Sequence, residues 1–384
     1  MRAVAPLSSL LLDLDPRLAV RAAWRVDEAG ERVDLAALRR GGRVEVDLGG
    51  THPAGDELAV TLAYGGVPRP APMPPWDGGF VWDRDRGGAP WIGVACQLDG
   101  ADLWWPTKDH PGDELDDGAD LRFTVPRRLT VVANGTLEGV ERTDRGRRTW
   151  HWRTVASING YDVTFNAGRY RAIERRIPTA GGGDMRFVFW VLSEDLRRAE
   201  ALLPEILDQV AFLEAVAGPF PFAGDKLGFV ETPYVAMEHQ TAVAHGKAWD
   251  LERQGFHFLP LHELSHEWFG NLVTAADWSD LWIHEGFATY LEALYVEERR
   301  GAAAGRHYVA EHLHDGITND RPLAPRESRT IRDSYSTGFT DPYAKGASVL
   351  HALRWLIGDD AFRTGLRRVA YPDPASEGSW PPPA

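Results

Sequence analysis

The sequence predicts an α+β fold of two domains, an antiparallel β-rich part over residues 1–175 and a mainly helical part over 176–384. Three observations predict it. A chain of 384 residues exceeds the usual size of one domain. From Arg43 to Arg175 apolar residues recur mainly with period two, as in Val44, Val46, Leu48 and in Leu121, Phe123, Val125, with Gly, Pro and Asn-Gly turn signals between the runs. After one more strand at Met185–Leu192 the apolar positions change to helical spacing.

Within the first part, the Pro-rich stretch Val67–Pro75 reads as a loop and Arg145–Arg148 as a solvated hairpin tip. In the second part, Ser193 can cap a helix that reaches Ala217, where Gly218-Pro219 ends it, and Pro204 either kinks that helix or starts another. Further helices are expected at about 260–269, 279–300, 302–314, 345–357 and 360–369. Residues 371–384 have the composition of a tail.

Composition narrows the function classes. The net charge of −14, from 42 basic and 56 acidic residues, disfavours nucleic acid as a partner. The single cysteine, Cys96, excludes an intrachain disulfide and any zinc site built on several cysteines, so a metal here needs His and carboxylate ligands. Asp13 and Asp15 interrupt the short apolar run near the start, and no stretch has the length of a membrane helix, so the expectation is a cytoplasmic protein without a membrane partner.

The segment LHELSHEWFGNLV (Leu261–Val273) carries the chemistry. On a helix, His262 and His266 share one face and can direct two imidazoles at one ion, with Glu263 beside that face as a general base. Alone, such a motif is equally compatible with an amphipathic helix bearing two satisfied histidines. Zinc needs a third protein ligand. Nineteen residues after His266, Glu285 stands on a second expected helix among Trp282, Ile283, Phe287 and Ala288, where an unpaired carboxylate is costly and a metal bond would compensate. Seven residues further, Glu292 reads as a surface carboxylate, with orientation of a ligand as the lesser alternative. His307, Glu311 and His314 have helical spacing but read as a solvated face.

These residues resemble the zinc aminopeptidases of the gluzincin clan, such as aminopeptidase N and the leukotriene hydrolases. Their pattern is HExxH, eighteen residues, then Glu, and it fits His262, Glu263, His266 and Glu285 without a gap; WFGNLV and EGFAT flank it. The resemblance spans roughly Leu12 to Arg368. It implies a saddle-like β domain, a thermolysin-like catalytic domain, one Zn2+ per chain, and peptide substrates with a free amino terminus. It further implies Tyr343, in DPYAKG, as the donor to the oxyanion. Glu238, in VAMEH, becomes the receiver of the substrate α-amine, with Ala236 and Met237 as an edge strand for the peptide backbone. Gln97, in the Cys96-Gln97 dipeptide, becomes a second amine contact. Val235 and His239 replace the family's Gly and Asn. Additional strands before Leu12 and a helical domain after the catalytic one are expected to be missing, giving an open cleft with weak length selection. Two rival readings accompany this one: an endopeptidase or epoxide hydrolase on the same zinc site, or a peptide-binding fragment without turnover.

Overall fold

In the amino-terminal half the alternating apolar pattern becomes antiparallel pairing. The computed structural model describes residues 1–384 except 28, 98–99, 318, 326, 328–340 and 380–384. Strand Arg43–His52 lies between Leu7–Asp13 and Ala37–Arg40 and turns Val44, Val46 and Leu48 wholly inward. Ala119–Pro126 alternates half-buried and exposed residues along its length and pairs with Arg147–Thr154, which pairs in turn with Thr136–Thr143. Arg145, with a φ of 65°, sits in the turn of that hairpin, as the sequence reading expects. A four-stranded sheet of Thr130–Ala133, Phe165–Gly168, Pro90–Ala95 and Gly79–Arg84 completes the β-rich half, and Gln97 follows its Pro90–Ala95 strand.

The second half is built on a five-stranded sheet: β1 (Tyr170–Pro178), β2 (Asp184–Leu192), β3 (Leu227–Glu231), β4 (Ala236–Met237) and β5 (Val243–His245), in the order β1-β2-β3-β5-β4. Residue 175 falls inside β1, which pairs with β2 along its length. Helix α1 (Leu196–Ala217) runs unbroken through Pro204 and packs an apolar face with Phe187, Phe189 and Phe229 of the sheet in one core. Then follow α2 (Phe258–Ser265), α3 (Trp282–Arg300), α4 (Ala302–Tyr308), α5 (Gly346–Ile357) and α6 (Asp359–Ala370).

Two glycines explain how α3 and α5 come so close. A Cβ on Gly286 would stand 2.9 Å from the backbone of Gly346, and one on Gly346 would stand 2.9 Å from Cα of Gly286. Real side chains do not tolerate such distances, so these two positions set the approach of the helices. The turn Asp341–Lys345 feeds straight into α5 and carries Tyr343 to the same place.

A buried lysine ties the halves together. Lys226, wholly buried, donates to the carbonyls of Ala133 and Gly135 and lies over the rings of Trp152 and Trp190. Beside it Asn134 Nδ2 donates to the carbonyls of Asp162 at 2.9 Å and Gln240 at 2.6 Å. This seam fixes the strand region bearing Gln97 against the catalytic sheet. No helix among the described residues is long and apolar enough to cross a membrane.

Candidate active site

Helix α2 is short because its sequence stops it. After His266 the chain enters a wide turn in which Phe269 leaves helical geometry and Gly270 adopts φ 149°. A Cβ on Gly270 would meet Cβ and Nδ1 of His266 at 3.3 Å. Glycine in WFGN therefore lets the chain fold back over the second histidine, and the carbonyl of Phe269 accepts from His266 Nδ1 at 3.0 Å. A carbonyl accepts only, so the proton sits on Nδ1 and Nε2 is left as a ligand.

His262 is fixed the same way by a different group. Its Nδ1 donates to Glu292 Oε1 at 2.8 Å, and Glu292 is 1% exposed. The expectation of a surface carboxylate at residue 292 is overturned: seven residues past Glu285 is two turns of α3, on the face that packs against α2. Arg253 Nη1 at 3.2 Å and the Tyr308 hydroxyl share the other oxygen of Glu292.

Glu285 completes the cluster. Its Oε2 lies 3.2 Å from His262 Nε2 and 3.4 Å from His266 Nε2, and one ligand atom from each of the three residues falls within 4.8 Å of the others. Its Oε1 accepts from Tyr343 OH at 2.8 Å and from Gln97 Nε2 at 3.1 Å. The three residues are buried, and their charges respond. Burial alone would raise the Glu285 carboxyl, but hydrogen bonds from His262 and His266 hold it well below the usual carboxylate range. Burial would lower His266, yet Glu238 and Glu285 outweigh it and hold the imidazole up to about 9. A pocket this rich in carboxylates draws a positive charge to the imidazoles. Two Nε2 atoms and one carboxylate oxygen, each oriented from behind, fit the donor set of a catalytic zinc with an open position.

Glu263 and Glu238 flank that set. Ligand atoms of Glu238, Glu263 and His266 also fall within 4.8 Å of one another. Burial pushes the Glu263 carboxyl up to about 8. Burial likewise raises Glu238, whose carbonyl accepts from Asn271 Nδ2 at 2.9 Å while its Oε1 is buried with no hydrogen-bond partner. Gln97 presents the same feature: its Nε2 donates to Glu285 and, at 3.3 Å, to Tyr343 OH, while its Oε1 is buried and unpartnered. Ala236 and Met237 form the terminal strand of the sheet, buried within the cleft wall. All nine residues singled out from the sequence line one cleft of about 360 Å³. Val235 lines it as well, whereas His239 lies buried outside it, and burial lowers its imidazole to about 3. His307 and Glu311 form an exposed pair 3.1 Å apart, a solvated face.

Two residues of the site escaped the sequence reading, and a third, Glu292, was weighed only as the lesser alternative. Glu292 carried a signal in its spacing from Glu285. Arg253 and Tyr308, which hold Glu292, carried none.

Comparison with known proteins bears on this geometry. Residues 231–371 match the model of the peptidase family M1 domain. A zinc metallopeptidase of that family from Deinococcus radiodurans has a similar structure, with a TM-score of 0.75 and 26% identity over 99% of this chain and 81% of that one. The catalytic half of this chain thus carries a segment of peptidase family M1. Among curated relatives, human endoplasmic reticulum aminopeptidase 1 is 24% identical over 73% of this chain and 31% of its own length. Aminopeptidase N of Lactococcus lactis is 25% identical over 68% of this chain and 32% of its own length. The chain thus spans about a third of these two relatives and about four fifths of the Deinococcus M1 protein, whose match takes in both its β-rich and its helical halves.

Proposed function

We propose that this chain is a zinc-dependent aminopeptidase that releases amino-terminal residues from peptides. His262, His266 and Glu285 hold the zinc, which when bound supplies Lewis acidity toward the scissile carbonyl and acidifies the attacking water. The remaining roles belong to the chain. Glu263 takes a proton from that water and returns it to the leaving amine, a task suited to a carboxyl whose burial sets it near neutral pH. Tyr343 donates to the developing oxyanion from its place beside Glu285. Ala236 and Met237 offer a free sheet edge to the peptide backbone.

One observation carries the reading of an exopeptidase. Glu238 Oε1 and Gln97 Oε1 are buried acceptors without partners, on the border of the metal donors. An orphaned buried acceptor costs about 1–3 kcal/mol, and an ammonium group satisfies both at once. The relatives named above are themselves aminopeptidases. We also place the break between the two units just before β1, at about residue 169, and assign the protein to the reducing cytoplasm on its single, buried cysteine.

The test is a panel of aminoacyl anilides and their N-acetylated counterparts, on protein of known zinc content, with and without chelator. Cleavage of the free-amine set alone, abolished by chelator and restored by zinc, is the expected result. Equal cleavage of acetylated substrates would make the enzyme an endopeptidase.

A further inference from the structure

The cleft contains one feature that neither the metal set nor the amine contacts use. Its titratable lining is acidic, with Glu238, Glu263, Glu285 and Glu292, yet among the described residues that line it there is a single Lys or Arg, Arg253. Away from the ion site itself, an incoming carboxylate is repelled by these glutamates and attracted at Arg253.

Arg253 is held as a built feature. Its backbone closes a two-residue turn, donating from N–H to Phe256 O at 2.9 Å and accepting from Phe256 N–H at 3.1 Å, with Gln254 and Gly255 both at positive φ. Arg300 clamps the turn by donating to the carbonyls of Gln254 and Gly255. The guanidinium lies over the Phe258 ring, 3.6 Å from its centroid. Glu292 occupies one edge of a group that carries five N–H donors, and the side chain keeps 37% of its surface exposed where it lines the cleft.

Its position relative to the chemistry follows from contacts. Gln97 and Tyr343 meet Glu285 on the Nε2 side of His262, whereas Arg253 reaches His262 through Glu292 on the Nδ1 side. Arg253 therefore meets the His262 ring from the opposite edge to Gln97 and Tyr343. Two hydrogen-bonded contacts separate it from the His262 ring, on the order of two or three residues of extended chain at ~3.4 Å each.

We propose that Arg253 binds the free terminal carboxylate of the leaving peptide, so that this site takes short peptides anchored at both ends, the amine on one side and the carboxylate on the other. This rests on the peptidase reading, and it replaces the sequence expectation of weak length selection.

The test compares Leu-Gly-Gly with its carboxy-terminal amide on zinc-quantified protein, for the natural chain and for Arg253→Met, which keeps the stem over Phe258. Leucine anilide, which has no carboxylate, is the third substrate. The natural chain is expected to favour the acid by roughly 10-fold in kcat/KM, mostly through KM, with the preference shrinking at high salt. Arg253→Met is expected to bring that ratio to about 1. Any loss shared by acid, amide and anilide measures only the support that Arg253 gives to Glu292. Equal kcat/KM for acid and amide in the natural chain overturns the carboxylate site and leaves the peptidase reading intact. Should none of the three be cleaved, the peptidase reading fails. Calorimetric binding of the acid and the amide then decides the carboxylate site by itself: tighter binding of the acid, lost in Arg253→Met, sustains it, and equal binding overturns it.

Discussion

The two sides of the cleft obey opposite rules. On the helix side each member of the proposed metal set is held from behind: His262 by Glu292, His266 by the Phe269 carbonyl, Glu285 by Tyr343 and Gln97. On the amine side Glu238 Oε1 and Gln97 Oε1 are buried and have no partner. A half-made polar network is costly in a low-dielectric interior, and a ligand that completes it gains by doing so. Gln97 shows the division inside a single side chain, with its amide nitrogen spent on the metal side and its oxygen left for the ligand. The contrast within this cleft is that the three residues of the ion cluster are satisfied from behind, while Glu238 and Gln97 each leave one buried acceptor unpaired.

The sharpest break of this contrast is at Glu263, which belongs to neither side's scaffolding. Glu263→Gln is expected to keep zinc at one per chain while kcat falls by roughly 10²–10⁴-fold. Metal analysis and steady-state rates on the same preparation check it; loss of zinc in this variant would mean that the residue helps to hold the ion. The helix side is broken at Glu292. Glu292→Ala frees the His262 ring to turn and strands Arg253 and Tyr308, so zinc affinity should fall by about 10–100-fold, measured by competition with a chelator.

Protons sharpen the same contrast. Glu238 and Glu285 hold the His266 imidazole up to about 9, against burial, so in chelated protein a proton competes with the ion for Nε2. Below that pH each zinc bound must release the proton, and apparent affinity should rise with pH, by up to about 10-fold per unit for one proton, levelling off toward pH 9. Titration calorimetry in buffers of different ionisation enthalpy counts the protons released. A count of zero at pH 7 would contradict the coupling of His266 to its carboxylates.

Against these, the amine side should yield a smaller and more selective effect. Glu238→Gln leaves volume and an acceptor but removes the charge facing the ammonium. KM for free-amine anilides should rise by about 10-fold with little change in zinc affinity. If zinc were lost instead, Glu238 would belong with the metal donors, a grouping its distance to Glu263 and His266 permits.

How much of this was legible in the sequence depends on how local each determinant is. The cluster of His262, His266 and Glu285 was legible because helical periodicity places His262 over His266, and because Glu285 stood as a charge among large apolar neighbours. The β-rich half was legible because one face of each strand must be buried, as at Val44, Val46 and Leu48. Glu292 was misread because spacing along α3 tells which face a residue shares but not what packs on that face. Arg253 and Tyr308 were invisible for a stronger reason: they reach Glu292 from a turn and a separate helix, through contacts set only by tertiary packing. A strand's period likewise does not reveal which sheet it joins, and residue 175 lies inside β1, which pairs with β2.

The smallest expected effect tests whether Tyr343 is positioned by helix packing alone. Gly346→Ala puts a methyl 2.9 Å from Cα of Gly286, and overpacking of this kind costs about 1–3 kcal/mol. To relieve it, α5 must back away from α3, and Tyr343, one short turn before α5, moves with it. His262 and His266 sit on α2 and its outgoing turn, outside this contact, and Glu285, next to Gly286, stays with α3 as α5 backs away, so zinc affinity should change less than kcat, which falls by a few-fold through the displaced hydroxyl. Gly365→Ala in α6 is the matched control. A Cβ there meets nothing within 4 Å, and exchanging glycine for alanine inside a helix stabilises by roughly 0.5–1 kcal/mol. Opposite shifts in thermal midpoint for the two variants, with kcat lowered only at Gly346, would locate the cause in the glycine contact. A kcat unchanged in Gly346→Ala despite a lowered midpoint would show that the Tyr343 turn adjusts independently of α5, and that its hydrogen bond to Glu285 holds the hydroxyl in place without the helix.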